Sequence, residues 1–301
     1  MDVDTRLLRY FVAVAEAGTL TRAAEVLFVS QPALTKQIRR LERELGVRLF
    51  SRSHDGMALT EAGEALLQHA PRLLARWQEA RRATRRAEGR AAGKLRLGFL
   101  ASAANESTQT IITEFTRRRP GWRVDMRQAP WSDPSAGLND GHVDVALLRL
   151  PFPTAETLRV VELFTEQRCV ALPTGHPLAE RARVPFDELL DEPFVAAPEE
   201  AGGFRDYWLA RDERRGRPVR IGAVTDHPDA WLNAIANGYG VALAPESAAR
   251  FYARPGITYR PVSGIATSTV GVAWHPADDR HTVVRTFVEC CVECTAGGDG
   301  T

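Results

Sequence analysis

Leu7, Leu8, Phe11, Val12 and Ala15 recur at helical spacing, and Gly18 closes this first apolar stripe. Thr19 can cap a second, short helix over 20–27, and a turn at Phe28-Val29 separates it from a third. Ser30 can cap that third helix, which begins at Gln31 and carries Pro32 in its first turn, where a missing N–H costs nothing. Its apolar positions are Leu34, Ile38, Leu41 and Leu45, and Gly46 ends it. Two short helices joined by a tight turn, the second polar at its N-terminal end, predict a helix-turn-helix.

Gln31 and Thr35 stand one turn apart on the face away from the apolar stripe, followed by Lys36, Arg39, Arg40 and Arg43. A helix fits the major groove of B-DNA, whose edges differ for each base pair, and long cationic side chains reach phosphates or a guanine edge. The segment 47–59 alternates around Asp55-Gly56, a hairpin signal that reads as a wing with Arg52 at the DNA backbone or minor groove. Thr60 can then cap a long helix to about Glu88. Leu66, Ala70, Leu73, Trp77, Ala80 and Thr84 form a heptad seam along it, the pattern of two helices packed side by side. Pro71 lies inside this helix and predicts a kink or a loosened first half. Gly89 and Gly93 mark a boundary. The expected domains are 1–60, DNA binding; 61–92, a dimerising linker helix; and 93–301.

From residue 94 strands and helices alternate. Strands are expected at 94–100, 122–127, 143–148, 162–164, 169–172, 219–224, 241–244 and 269–274, with helices over 105–118, 133–139 and 280–294. That alternation predicts a mostly parallel sheet with helices on both faces. Ligands of such sheets bind beyond the C-terminal ends of strands. The candidates there are Ser102, whose hydroxyl and neighbouring N–H groups could hold a carboxylate, with Trp131, Arg149, Pro198 and Thr225.

The 301 residues carry 39 Lys and Arg against 38 Asp and Glu, so neither a disordered chain nor a wholly basic coat protein is indicated. The balance hides a split: residues 1–93 hold 16 basic and 11 acidic groups, residues 94–301 hold 23 and 27. A basic segment joined to an acidic one supports a nucleic-acid-binding part attached to something else. No apolar run approaches a membrane span and the N-terminus is acidic where a secretion signal is basic, which points to the cytoplasm.

At this level of detail residues 5–90 resemble the N-terminal part of a LysR-type transcriptional regulator. The match is carried by Leu8-Arg9-Tyr10-Phe11, Ala23-Ala24, Ser30-Gln31-Pro32-Ala33-Leu34-Thr35, Leu41-Glu42, Leu45-Gly46, Leu49-Phe50 and Leu59-Thr60-Glu61-Ala62-Gly63. Residues 94–294 resemble that family's two-lobed domain, through Phe115-Thr116-Arg117-Arg118-Arg119-Pro120, Gly141-His142-Val143-Asp144-Val145-Ala146 and Asn237-Gly238-Tyr239-Gly240-Val241-Ala242. The resemblance implies an α+β multi-domain fold: an N-terminal winged helix-turn-helix, a long linker helix and a C-terminal two-lobed α/β domain like periplasmic binding proteins. Lobe one would be 94–166 with 269–294, lobe two 167–268. It implies promoter or operator double-stranded DNA, a small-molecule effector such as a carboxylate, and self-association as a dimer of dimers. It admits RNA polymerase as a further partner. The DNA-contacting set would be Ser30, Gln31, Pro32, Thr35, Lys36 and Arg39, with Arg52 in the wing. Ser102 falls where the family often has an effector-binding Ser or Thr. Arg149 lies as in aromatic-catabolism members, and Trp131 replaces a position often small and polar.

An enzyme is not indicated: the chain has no G-x-x-x-x-G-K-[ST] phosphate loop and no G-x-S-x-G elbow, its seven histidines are scattered, and no cofactor or metal is expected. The rival regulatory reading is a thiol sensor using Cys291 and Cys294, which have C-x-x-C spacing beside Cys290. Cys169 lies in an apolar strand and reads as inert core.

Overall fold

The computed structural model describes residues 4–27, 29–53, 56–101, 103, 107–151 and 158–296; the side chains of Arg52, Ser53, Arg86, Arg90 and Ala91 are outside that description. The chain forms two compact units, Met1–Thr84 and Arg85–Thr301.

In the first unit the expected caps at Thr19 and Ser30 form, and Asp4 supplies a further one that the sequence reading did not single out. The Asp4 carboxylate accepts from Arg6 N at 2.8 Å and starts α1 (Thr5–Ala17). Thr19 does the same for α2 (Leu20–Val26), and Ser30 for α3 (Gln31–Leu45) through Ala33 N at 3.3 Å. Helices α1 and α3 end at Gly18 and Gly46, with φ of +70° and +72°. Leu7, Phe11, Val14, Ala23, Leu34 and Leu41 are fully buried where the three helices meet. Burying a side chain of this size contributes about 1.5–3 kcal/mol. The antiparallel hairpin β1 (Phe50–Ser53) and β2 (Gly56–Leu59) forms the wing. Its root is fastened by Glu42, a buried carboxylate that accepts from Leu49 N at 2.9 Å and Phe50 N at 3.4 Å.

Thr60 then receives Gly63 N at 3.1 Å and donates to Arg48 O at 2.7 Å, which starts α4 (Glu61–Ala91) against the wing. The approach is so close that a Cβ on Gly63 would stand 2.2 Å from the Leu49 carbonyl oxygen. Ala62, Leu66, Leu67, Ala70 and Leu74 pack on the core of this unit, whereas Leu73 and Trp77 stay about half exposed, at 54% and 50%. The helix extends on both sides of Pro71, whose ring is exposed.

The second unit has two lobes. Lobe one holds β3 (Lys94–Phe99), α5 (Ser107–Arg118), β4 (Arg123–Gln128), β5 (Val145–Leu150) and β6 (Arg159–Glu166). Only Gln167 separates β6 from β7 (Arg168–Pro173), so the chain crosses directly into lobe two. That lobe continues through β8 (Val184–Pro185), β9 (Pro193–Ala196), α6 (Gly203–Trp208), β10 (Arg220–Val224), α7 (Pro228–Ala236), β11 (Ala242–Pro245), α8 (Ala248–Phe251) and β12 (Ile257–Ser263). The chain returns in β13 (Ser268–Trp274), followed by α9 (Thr282–Thr295).

Lobe one is a five-stranded sheet in the order β4-β3-β5-β13-β6, and lobe two a four-stranded sheet in the order β11-β7-β12-β8. The expected mostly parallel sheet is corrected to a mixed one. β3 pairs in parallel with β4 and β5, but the returning β13 runs antiparallel to both β5 and β6, and β7 lies antiparallel between β11 and β12. Each crossing strand enters a sheet from the opposite lobe, which reverses its direction. The helix expected over 133–139 is also corrected, to a series of turns. The Asp133 carboxylate draws Ser135 N, Ser135 Oγ and Gly137 N onto itself at 3.1, 2.6 and 2.8 Å, and Ala136 and Gly137 take φ of +49° and +88°. These contacts compete with a helical ladder.

Leu95, Leu97, Val145, Leu147 and Val272 of the lobe-one sheet pack against Ile111 and Phe115 of α5 and Val284 and Phe287 of α9. Beneath them Arg96 and Asp144 form a buried two-pronged ion pair, at 2.6 and 3.1 Å. Among the described residues no helix is long and apolar enough to cross a membrane.

Candidate DNA-reading surface and effector cleft

The N-terminal half of α3 and the start of the wing share one open groove. Gln31, Pro32, Thr35, Lys36, Arg39, Arg43 and Arg48 line it. The apolar stripe Leu34, Ile38 and Leu41 is turned into the core, which leaves Gln31, Pro32, Lys36, Arg39 and Arg43 exposed. Gln31 Nε2 donates to Thr35 Oγ1 at 3.2 Å, and Thr35 Oγ1 donates to Gln31 O at 2.9 Å, so the two polar side chains are set as a pair. Arg40 is engaged by Glu44 at 2.7 Å and Arg48 stands 3.6 Å from Glu42. Among the described residues Lys36, Arg39 and Arg43 have no ion-pair partner. Ser30 is exposed at the helix N-terminus, its hydroxyl occupied by the cap. Arg52 lies on β1, with its side chain outside the description. Sequence reading missed Arg48 as part of this surface, since nothing in its spacing shows that the wing root turns back beside α3.

A cavity of about 70 Å³ lies between the lobes, at the C-terminal ends of β9 and β11. Lobe one contributes Ala101, Trp131 and Arg149; lobe two contributes Phe204, Arg205, Trp208, Trp231 and Leu243 among others. Its rim is clasped. Trp131 N donates to Asp226 O at 3.1 Å, and Ser132 N and Oγ each donate to the Asp226 carboxylate at 2.7 Å. Trp131 and Trp231 meet edge to face across the cleft, 6.2 Å between ring centres.

Of the expected effector residues, Trp131 and Arg149 stand in the wall. Pro198 follows the lining residue Ala197 and is not itself in it, and Thr225 flanks Asp226. Thr225 N donates to Ala196 O at 2.9 Å, which ties β10 to β9. Ser102 lies outside the described residues. Arg149 is 1% exposed and bound to protein groups: Glu166 at 2.7 Å, Ser268 Oγ at 3.0 Å and Ser247 Oγ at 3.3 Å. Glu166 also receives Ser247 N at 2.7 Å. Burial pulls the Arg149 pKa down, and Glu166 draws it back up.

A family model for bacterial regulatory helix-turn-helix proteins of the lysR family matches residues 5–64, and one for the LysR substrate binding domain matches residues 88–295. The chain belongs to the LysR family. Among curated relatives, the HTH-type transcriptional regulator BudR of Raoultella terrigena is 31% identical over 290 residues, covering 95% of this chain and 99% of the relative. The regulator ShiR of Corynebacterium glutamicum is 34% identical, covering 92% and 95%. Among solved structures, full-length CbnR complexed with its target DNA is similar at 26% identity and a TM-score of 0.54, over 97% of this chain and all of that one. This LysR-family chain is thus a DNA-binding transcriptional regulator with an effector-binding domain.

The C-terminal cysteines of this LysR regulator do not suit a thiol sensor. Cys290 and Cys291 are fully buried among Phe115, Phe287 and their neighbours, and only Cys294 is partly accessible. Burial pushes the Cys290 thiol up to about 11 and raises Cys291 well above the ordinary range. A reactive cysteine requires the opposite shift, so the alternative reading through Cys291 and Cys294 is corrected to core packing. The signal was present in the sequence, because 287, 290, 291 and 294 share one face of a helix. Cys169 is likewise buried, its Sγ 3.3 Å from Pro245 O. Among the described residues no group of His, Cys, Asp and Glu is arranged to hold a metal.

Proposed function

We propose that α3 enters the major groove of operator DNA, with Gln31 and Thr35 toward base edges and Lys36 and Arg39 toward phosphates or a guanine edge. Ser30 and Pro32 present the helix N-terminus to the backbone, and Arg52 reaches from the wing. The observation that carries this reading is the exposed α3 face, where two paired polar side chains are followed by Lys36 and Arg39, which have no ion-pair partner among the described residues. Two chains join along α4 through Leu73 and Trp77, and dimers pair again, so that two half-sites are read about one helical turn, or a multiple of it, apart. The inter-lobe cleft takes a small-molecule effector, with Ser102, Trp131, Arg149, Pro198 and Thr225 around it. The effector acts through unequal affinity for two dispositions of the lobes. RNA polymerase is a partner at the promoter. The protein works in the cytoplasm, binds no membrane and turns over no substrate.

The test is a DNase I footprint of the full chain on DNA flanking its own gene. Two protected patches on one face of the duplex, spaced by whole helical turns, are expected. A lone patch of monomer size, or none, overturns the reading.

A further inference from the structure

We propose that the inter-lobe cleft selects a short monocarboxylate, and that Arg205 on α6 is the residue that holds its charge. The inference rests on the reading of this cleft as the effector site and adds the ligand class and the specificity-determining residue.

Two arginines stand in the cavity wall and they differ in what they have left to offer. Both Nη groups of Arg149 are engaged, by Glu166 and two serine hydroxyls, and an incoming carboxylate would meet the Glu166 charge beside it. Arg205 is only 11% exposed, yet among the described residues its one ion-pair contact is Nη1 to Glu199 at 3.4 Å, a carboxylate that is 88% exposed. Its Nε is buried with no hydrogen-bond partner among the described residues. A guanidinium carries five N–H donors in a fixed fork that matches a carboxylate, and a pair with a solvated glutamate is weak. Arg205 is therefore a cation held in an apolar wall with donors unused.

The rest of the wall sets the body of the ligand. Phe204, Trp208, Trp131, Trp231 and Leu243 are apolar or aromatic, and offer no second cation. A dicarboxylate would leave one charge against them unmatched. The space inside the cleft is about 70 Å³, with a mouth partly open to solvent. That is about half of the roughly 150 Å³ cavity that accepts a benzene ring. With the Ser132–Asp226 clasp made, an aromatic ring is too large and a chain of a few carbons is not. The charge is read from lobe two while Trp131 of lobe one covers the body, so one small anion touches both lobes.

The test uses the full-length protein, with binding followed by isothermal titration and by the fluorescence of the cleft tryptophans. The probes are sodium butyrate, butyramide, benzoate and succinate. Butyrate is expected to bind, with butyramide, benzoate and succinate each much weaker. Arg205→Leu should weaken butyrate by roughly 10- to 100-fold, the range for losing a charge-assisted hydrogen bond. Glu199→Gln is a surface change that removes the competing carboxylate and should tighten butyrate without altering the melting temperature. An Arg205→Leu protein that melts as wild type and binds butyrate equally well overturns the inference. Benzoate or succinate binding better than butyrate overturns the ligand class but leaves the cleft as an effector site. Failure of every carboxylate to bind or to shift the fluorescence of wild type removes the carboxylate-effector reading as well.

Discussion

Cys290, Cys291 and Cys294 have the spacing of a redox motif and the surroundings of a core. The side chain at 291 is fully buried, and a thiol that cannot shed its proton to solvent is a poor nucleophile. In native protein at pH 8, iodoacetamide is expected to label Cys294 and to leave Cys169, Cys290 and Cys291 intact until denaturant is added, as read by peptide mass spectrometry. Rapid native labelling of Cys291, or a peroxide-induced Cys291–Cys294 disulfide, would restore a sensor role. The ion pair of Arg96 with Asp144 illustrates the same dependence on surroundings. Its partners lie 48 positions apart and each is about nine-tenths buried, so removing either strands a charge at a cost of about 3–5 kcal/mol.

Elements were legible in proportion to how far their cause is local. Thr19 and Ser30 cap their helices because each needs only its own next turn, and α1, α2 and α3 lie within a residue or so of the sequence reading. The turns at 133–139 were misread because Asp133 folds the chain onto its own carboxylate, a contact with no periodic signature. Antiparallel β13 and β7 were missed for a different reason: strand direction depends on where the chain enters a sheet, which the residues of the strand do not encode. Among the cleft residues, Trp131 could be placed by its position after a strand, and Arg149 by its place at the end of one, although β5 runs two residues further than expected and includes it. Arg205 could not, since α6 is short and its value lies in what Glu199 and the cavity leave unsatisfied. Helix α4 carries the clearest prediction at this scale. Leu66 and Leu74 turn into the first unit while Leu73 and Trp77 remain half exposed, the arrangement of a seam awaiting a second helix. Covering the exposed half of each side chain would contribute about 1 kcal/mol per chain. Leu73→Glu with Trp77→Glu should lower the mass seen by light scattering to that of a single chain, with the circular dichroism spectrum preserved. An unchanged oligomer would place the interface elsewhere.

At the scale of the whole molecule, a basic N-terminal segment and an acidic C-terminal one divide two tasks between them. On the proposed reading, operator binding draws on cations with no ion-pair partner among the described residues, and so is sensitive to salt; effector binding at a largely buried arginine would be screened less. The two are coupled only if the effector binds unequally to the lobe dispositions that the DNA-bound and free states prefer. The most direct measurement is fluorescence anisotropy of a labelled operator duplex and a scrambled duplex, titrated with wild type and with Lys36→Ala, Arg39→Ala and Gln31→Ala across a salt series. Losing one phosphate contact should flatten the plot of log affinity against log salt by about one unit for Lys36→Ala, and likewise for Arg39→Ala if it grips the backbone. Gln31→Ala should keep the wild-type slope and narrow the gap between operator and scrambled DNA. Identical slopes and identical discrimination in all four proteins, or no binding to either duplex in dilute salt, would contradict the assignment of α3 as the reading helix.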